Sequence, residues 1–343
     1  MIKELLQEGF ILKTKGYYKH AIEAFYKALE LDNSSPELLL EIADVYYLMG
    51  DEERALNYIE QVLENYPTHV DSMKLLKRIF ENKQAWAEAE QTAKNIYCIT
   101  KDSNVLTEIF ALLNKQNNYD EIFTFSVEEL TPEMEYEMAY AKFMKKDFVE
   151  ALELINKVLE ADFNNKNLLL KGKILYKLNR KDECVELIKE LSIDEKNAEL
   201  LNFVGLVKQY EQDYKHALRY LLMASKLAPN NDEYYYNCAS TYFKMDDITF
   251  AKKYYNLAIS IAPDNQNYHF ALANLYYSEK HYKRALEELN YDFFEAKLLK
   301  SIILYDSGYL ALAKKELENL AEEHAEHPMV IDYKNRIAEE LRL

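Results

Sequence analysis

The sequence predicts an all-α fold, a solenoid of about ten stacked helix hairpins closed by a C-terminal helix. Three observations carry that expectation. A small residue recurs at Ala21, Ala55, Ala89, Ala151, Cys184, Ala217, Ala251 and Ala285; neighbours lie 33 or 34 residues apart, save for one interval wide enough for two units. Self-similarity at this period marks a stack of helix pairs. Only six Gly and six Pro occur in 343 residues, against average usage nearer about 7% and about 5%, so tight β-hairpins and glycine-rich loops lack their raw material. Leu, Ala, Glu and Lys dominate, with 29 Tyr for aromatic contacts between helices.

Aligned on the small residue, other positions fall into register. The first unit holds Gly9, Gly16, Tyr18, Ala21, Phe25 and Ala28; the second holds Ala43, Tyr46, Gly50, Ala55, Ile59, Val62 and Pro67. Later units repeat the scheme with Gly205, Tyr214, Ala217, Leu221, Ala224 and Pro229, then Ala239, Tyr242, Ala251, Tyr255, Ala258 and Pro263, then Ala273, Tyr276, Tyr282, Ala285 and Leu289. Small residues let two helix axes approach, and a larger side chain there would overpack at a cost of roughly 1–3 kcal/mol. Large residues four apart make the apolar stripe of each helix. Pro67, Pro229 and Pro263 stop the second helix of their units, because proline lacks a backbone donor and clashes with the preceding turn. Ser35-Pro36-Glu37 and Thr131-Pro132-Glu133 read as N-cap, first helical position and first-turn acid.

The resulting units fall near 2–35, 36–69, 70–103, 104–131, 132–165, 166–197, 198–231, 232–265, 266–294 and 295–328, an array over 1–328. Residues 329–343 place Val330, Ile331, Tyr333, Ile337 and Leu341 among charges, as a helix covering the exposed end of a stack requires. Two units have lost residues around the second helix, at Phe123–Glu129 and Glu287–Phe294. Bends in the stack are expected near 123–132 and 288–296.

The chain resembles the tetratricopeptide repeat family. The family pattern places a small residue where the two helices meet, an aromatic three later, and an Ala twelve after the small residue. A large residue and a second Ala follow, and a Pro closes the unit. The second, seventh, eighth and ninth units fit well; the third to sixth depart from the pattern, with Cys184 in place of the alanine in the sixth. The resemblance implies a right-handed superhelix whose first helices line a concave groove that holds a protein or peptide segment. Carried onto this sequence, the groove positions are Tyr47, Tyr136, Tyr140, Phe143, Tyr176, Asn202, Tyr236, Asn237, Phe243, Phe270, Asn274 and Tyr277. Asparagines can pair with a ligand's backbone, and aromatics supply buried area at low entropic cost. The clamp by which some members hold a chaperone's C-terminal carboxylate is not reproduced, since its positions read Leu6, Phe10, Glu41, Asp71 and Leu75 in the first three units.

Composition narrows the partners. A net charge of −17 opposes nucleic acid as the main ligand and is compatible with a basic peptide or protein, although an acidic surface also simply keeps a protein soluble. Three distant cysteines, Cys98, Cys184 and Cys238, suit a reducing compartment. The charged amphipathic start, Met1 to Glu8, does not read as a signal peptide, and no apolar run nears ~18 residues, so a cytoplasmic protein without a membrane span is expected.

Chemistry finds no purchase. The glycines form no phosphate-loop or dinucleotide motif, and CxxC and GxSxG are absent. His324 and His327 could face one way on a helix but lack further metal ligands. His20 and His216 each precede a ladder alanine and read as scaffold surface, while Trp86 stands where other units place Tyr18, Phe148, Tyr214 or Tyr282 and reads as core. No enzyme, cofactor or metal is expected. The favoured function is a protein-interaction scaffold or adaptor; the alternative is a regulatory subunit or peptide receptor whose superhelix changes curvature on binding.

Overall fold

The structure, a computed structural model, describes residues 1–32, 35–127 and 129–341, and among these the side chains of all but 321–323. The described residues contain 21 helices and no strand. They divide into two compact units, Met1–Leu178 and Asn179–Leu343.

In the first unit the helices are α1 (Ile2–Thr14), α2 (Tyr18–Leu29), α3 (Pro36–Leu48), α4 (Glu52–Asn65), α5 (Val70–Asn82) and α6 (Trp86–Thr100). They continue with α7 (Ser103–Lys115), α8 (Tyr119–Ile122), α9 (Pro132–Met144), α10 (Phe148–Ala161) and α11 (Asn165–Lys177). The second unit holds α12 (Lys181–Leu187), α13 (Ala198–Tyr210), α14 (Tyr214–Leu227), α15 (Asp232–Lys244) and α16 (Ile248–Ile261). Then come α17 (Gln266–Ser278), α18 (Tyr282–Glu288), α19 (Phe294–Asp306), α20 (Leu310–His324) and α21 (Pro328–Glu340).

The small-residue ladder forms the seam. Ala21, Ala55, Ala89 and Ala151 in the first unit, and Cys184, Ala217, Ala251, Ala285 and Ala313 in the second, are all at 0% exposure. Ile122, at 1%, takes the ladder position on the short α8. Gly9 and Gly205 show why these seams need small residues. A Cβ on Gly9 would lie 2.4 Å from Cε1 of Phe25, and one on Gly205 would lie 2.7 Å from Leu221 and 3.2 Å from the carbonyl of Ala217.

Each hairpin turns through one left-handed residue: Gly16, Gly50, Gln84, Asn117, Lys146, Asn179, Gln212, Asp246, Lys280 and Gly308, with φ between 57° and 80°. In most of these turns the next backbone N–H closes on a carbonyl five residues back, as Tyr17 does on Leu12 (2.9 Å), Asp51 on Tyr46 (2.9 Å), Asp213 on Lys208 (3.0 Å) and His281 on Tyr276 (2.9 Å). This is a Schellman termination, which satisfies the last carbonyls of the first helix while redirecting the chain into the second.

Helix boundaries follow the punctuation in the sequence. The Ser35 and Thr131 hydroxyls accept from the Leu38 and Met134 amides (3.4 and 3.3 Å), with Pro36 and Pro132 opening α3 and α9. Helices α4, α14 and α16 end two residues before Pro67, Pro229 and Pro263. The two short second helices expected from the spacing are α8 and α18; the stretch expected to bend at 123–132 includes Glu128, which lies outside the described residues. A third, α12, was not foreseen. Its unit keeps the ordinary 33-residue spacing, so nothing in the ladder betrays it, yet the helix gives way to a turn in which the Asp194 carboxylate accepts from the Lys196 amide (2.9 Å). In the final helix, α21, Val330 and Ile337 are buried and the ring of Tyr333 meets Tyr305 edge-on at 5.4 Å; residues 342 and 343 lie outside the described residues.

Candidate interaction face

The first helices of successive pairs lie beside one another within each unit, and side chains tie them together. In the first unit the Lys13 ammonium on α1 contacts Glu41 and Asp44 on α3, both at 2.6 Å. Burial works against its charge, but the hydrogen bonds it donates to Asp44 and Glu41 outweigh that and raise its pKa. Lys77 on α5 does the same with Glu108 on α7 (2.9 Å), against the same opposing burial. Asn114 on α7 donates to the Glu137 carboxylate on α9 (2.7 Å).

Aromatic residues in this layer are capped by cations from the next first helix. Arg78 lies 5.0 Å over the Tyr47 ring, Lys166 lies 3.6 Å over Tyr136, and Lys173 lies 5.2 Å over Phe143. A cation over an aromatic face is worth roughly 0.5–1 kcal/mol at an exposed site. The Tyr47 hydroxyl also accepts from the Asn82 amide at 2.5 Å. Tyr136, Tyr140 and Tyr176 are half-buried, whereas Phe143 is 9% exposed and belongs to the core.

In the second unit the ties are amide and hydroxyl bonds. Asn237 on α15 donates to Asn202 on α13 at 2.9 Å, and the two are 6% and 7% exposed. Gln209 donates to the Thr241 hydroxyl (2.7 Å) and accepts from Lys244 (2.9 Å). Burial, with Lys181 nearby, lowers the pKa of Lys244. Tyr236 stacks on Tyr268 at 5.0 Å, and burial raises its hydroxyl pKa. Phe270 meets Phe293 edge-on at 5.5 Å. Asn274 donates to the Phe270 carbonyl of its own helix (2.9 Å), and Tyr277 donates to Asp306 on α19 (2.6 Å). Phe243 is 37% exposed.

Three expectations therefore need correcting. Asn202 and Asn237 do not present free amides to a ligand, because they are buried and bonded to each other. Phe143 offers no open face, because the helix pair beneath it and Lys173 above enclose it. Phe243, Asn274 and Tyr277 keep accessible surface on first helices, as do the half-buried Tyr47, Tyr136, Tyr140, Tyr176, Tyr236 and Phe270. Sequence reasoning passed over Gln209, Thr241, Lys244 and Asp306. Their signal was present: polar residues about one repeat apart on consecutive first helices.

The residues weighed for chemistry find structural partners. The rings of His324 and His327 both pack on Phe294, at 4.3 and 4.7 Å. His216 bonds the helix-capping Asp213 (2.8 Å), His20 meets Tyr17 edge-on at 6.4 Å, and half-buried Trp86 carries the Lys115 ammonium 4.4 Å above its ring. Cys184 and Cys238 are buried and Cys98 is exposed. Among the described residues no group of three or more His, Cys, Asp or Glu could hold a metal ion, and no helix is long and apolar enough to cross a membrane.

Sequence profiles of the tetratricopeptide repeat match residues 14–79 and 232–265. Ladder, caps and Schellman turns coincide in both stretches. Both stretches are tetratricopeptide repeats. The chain's similarity to pre-mRNA-splicing factor 6 of Saccharomyces cerevisiae is 27% identity over 180 residues, 49% of this chain and 19% of that protein. Photosystem I assembly protein Ycf3 of Prochlorococcus marinus is 30% identical over 80 residues, 22% of this chain. The chain thus spans 19% and 46% of these relatives' lengths. Among solved structures, the anaphase-promoting complex hetero-tetramer Cut9-Hcn1 aligns at TM-score 0.58 and 12% identity, covering 98% of this chain and 76% of that one. A tetratricopeptide repeat protein from Parabacteroides merdae aligns at TM-score 0.53 and 14% identity, covering 70% of this chain and 98% of that one. At such identities these structures speak for the fold alone.

Proposed function

We propose that this chain is a scaffold or adaptor that holds a segment of another protein along its first helices, with α15 to α17 as the centre of contact. The observation that carries this reading is the state of that layer. Its polar groups are already tied between helices, while Phe243, Asn274 and Tyr277 keep open surface, so an incoming segment meets a face whose side chains are largely ordered beforehand. Preorganisation lowers the entropic cost of binding. One relative points the same way: Ycf3 is by name an assembly protein. The charge of −17 favours a basic segment and disfavours nucleic acid, and the reading needs no catalysis or cofactor. A cytoplasmic site of action suits a chain with three cysteines far apart in sequence.

The test begins with partners recovered by affinity purification and identified by mass spectrometry. Isothermal titration then compares the chain with a Phe243→Ala/Asn274→Ala variant. A loss of about tenfold or more in affinity, with circular dichroism unchanged, is expected. Unaltered affinity would remove the first-helix assignment.

The shortened α8, α12 and α18 favour one second reading, a regulatory subunit or peptide receptor in which short helices act as joints. Small-angle scattering should then show a changed radius of gyration when partner binds; an unchanged radius would leave only the static scaffold.

A further inference from the structure

Charge is unevenly shared among the second helices. Helix α14 carries Lys215, Arg219 and Lys226, and α16 carries Lys252 and Lys253; neither contains Asp or Glu. The other second helices, α2, α4, α6, α8, α10, α12, α18 and α20, each contain at least one, in a chain of net charge −17. The two basic helices also match position for position, Arg219 with Lys253, Tyr220 with Tyr254, Met223 with Leu257 and Leu227 with Ile261.

Their inner sides bury Ala217, Leu221 and Ala224, and Ala251, Tyr255 and Ala258. Their outer sides leave large apolar groups in solvent: Leu227 is 47% exposed, Phe250 43%, Leu257 36% and Ile261 37%. Phe250, Tyr254, Leu257 and Ile261 follow helical spacing and form one stripe. The aromatic part of that stripe is held from behind. Tyr242 stacks on Phe250 (5.1 Å) and Tyr254 (5.3 Å), and the Lys253 ammonium lies 5.8 Å from the centre of each of those two rings. Lys252 is engaged with Glu279 (2.6 Å) and Arg219 loosely with Glu195 (3.7 Å), while Lys215, Lys226 and Lys253 make no ion pair among the described residues.

We propose that the solvent side of α14 and α16 docks an acidic amphipathic helix of a partner protein. The partner's apolar ridge lies on Phe250, Leu257 and Ile261, and its carboxylates face Arg219, Lys226 and Lys253. Charge complementarity selects the occupant. Charges beyond a Debye length of about 8 Å are largely screened, so a compact helix feels the local basic field. A membrane plane or a nucleic-acid duplex extends further, over Asp182, Glu183 and Glu186 of α12 and Glu287 and Glu288 of α18, and is repelled there. This face is separate from the first-helix layer and does not depend on its assignment. With both in use, one chain joins a basic segment to an acidic one.

Fluorescence anisotropy with the full chain at physiological salt tests this. The probe is a labelled peptide of roughly 18 residues, long enough for five helical turns, with Leu and Phe on one stripe and Glu on the flanks. A control peptide has Lys in place of Glu, and vesicles of phosphatidylserine and phosphatidylcholine form a third arm. The acidic peptide should bind, with affinity falling as salt rises, and the lysine peptide should not. Arg219→Glu/Lys253→Glu should weaken binding by about tenfold or more, and Phe250→Ser/Leu257→Ser by about tenfold. All four residues lie on the outer face, and unchanged melting curves confirm the fold. Four outcomes overturn the proposal: no binding of the acidic peptide at about 1 mM, equal binding of both peptides, undiminished affinity in both variants, or vesicle binding without peptide binding.

Discussion

Exchanging glycine and lysine at equivalent turns should change stability in opposite directions. Gly50 and Lys280 both hold the left-handed position between the two helices of a pair, with φ of 78° and 61°. Nothing lies within 4 Å of a Cβ added at Gly50, so Gly50→Ala introduces no clash and its cost is conformational alone. A left-handed L-residue costs roughly 1–2 kcal/mol, and alanine recovers about 0.4–1 kcal/mol by restricting the unfolded chain. The net loss is about 0.5–1 kcal/mol. Lys280→Gly should gain about as much, since the Lys280 side chain is exposed and its backbone bond to the Tyr277 carbonyl (2.8 Å) survives the change. Guanidinium denaturation followed by circular dichroism reads both, the midpoint moving down for one and up for the other with an unchanged slope. A neutral Gly50→Ala, or a destabilising Lys280→Gly, would refute the assignment of these turns as strained.

The buried Asn202–Asn237 pair gives a second expectation. Asn237→Leu alone leaves a buried amide without its partner and should cost about 1–3 kcal/mol, whereas Asn202→Leu/Asn237→Leu should recover much of that, as a double-mutant cycle in thermal or chemical unfolding will show. The thiols supply a third. Burial pushes Cys238 up to about 12 and Cys184 up to about 11, both toward the unreactive thiol, so at pH 8 a chromogenic disulfide reagent should titrate Cys98 quickly and the other two only after denaturant is added.

The ladder was legible because most of its positions, Ala217 and Ala251 among them, are fully buried seams filled by small residues, with Cys184 the nearest variation; Ile122 takes the position only on α8, a helix of four residues. The prolines and the Ser35 and Thr131 caps were legible for a similar reason, since each acts through its own backbone. Left-handed turns were visible only at their glycines. Lys146, Gln212 and Lys280 adopt the same conformation with no sequence mark, because the Schellman bonds impose it. The Asn202–Asn237 pair was misread because periodicity tells which way a residue points but not whether a neighbouring repeat has already taken up its hydrogen bonds. The basic surface of α14 and α16 was hidden by averaging charge over the whole chain.

The side-chain ties between neighbouring helices have a kinetic consequence. Side-chain hydrogen bonds such as those from Asn82 to Tyr47, from Asn237 to Asn202 and from Tyr268 to Asp232 span 35 or 36 residues, in a chain of 343. Closing such loops costs little entropy, and domains built from near neighbours in sequence fold quickly for their size. Each helix pair can find its neighbour soon after leaving the ribosome, without waiting for the far end of the polypeptide to be made.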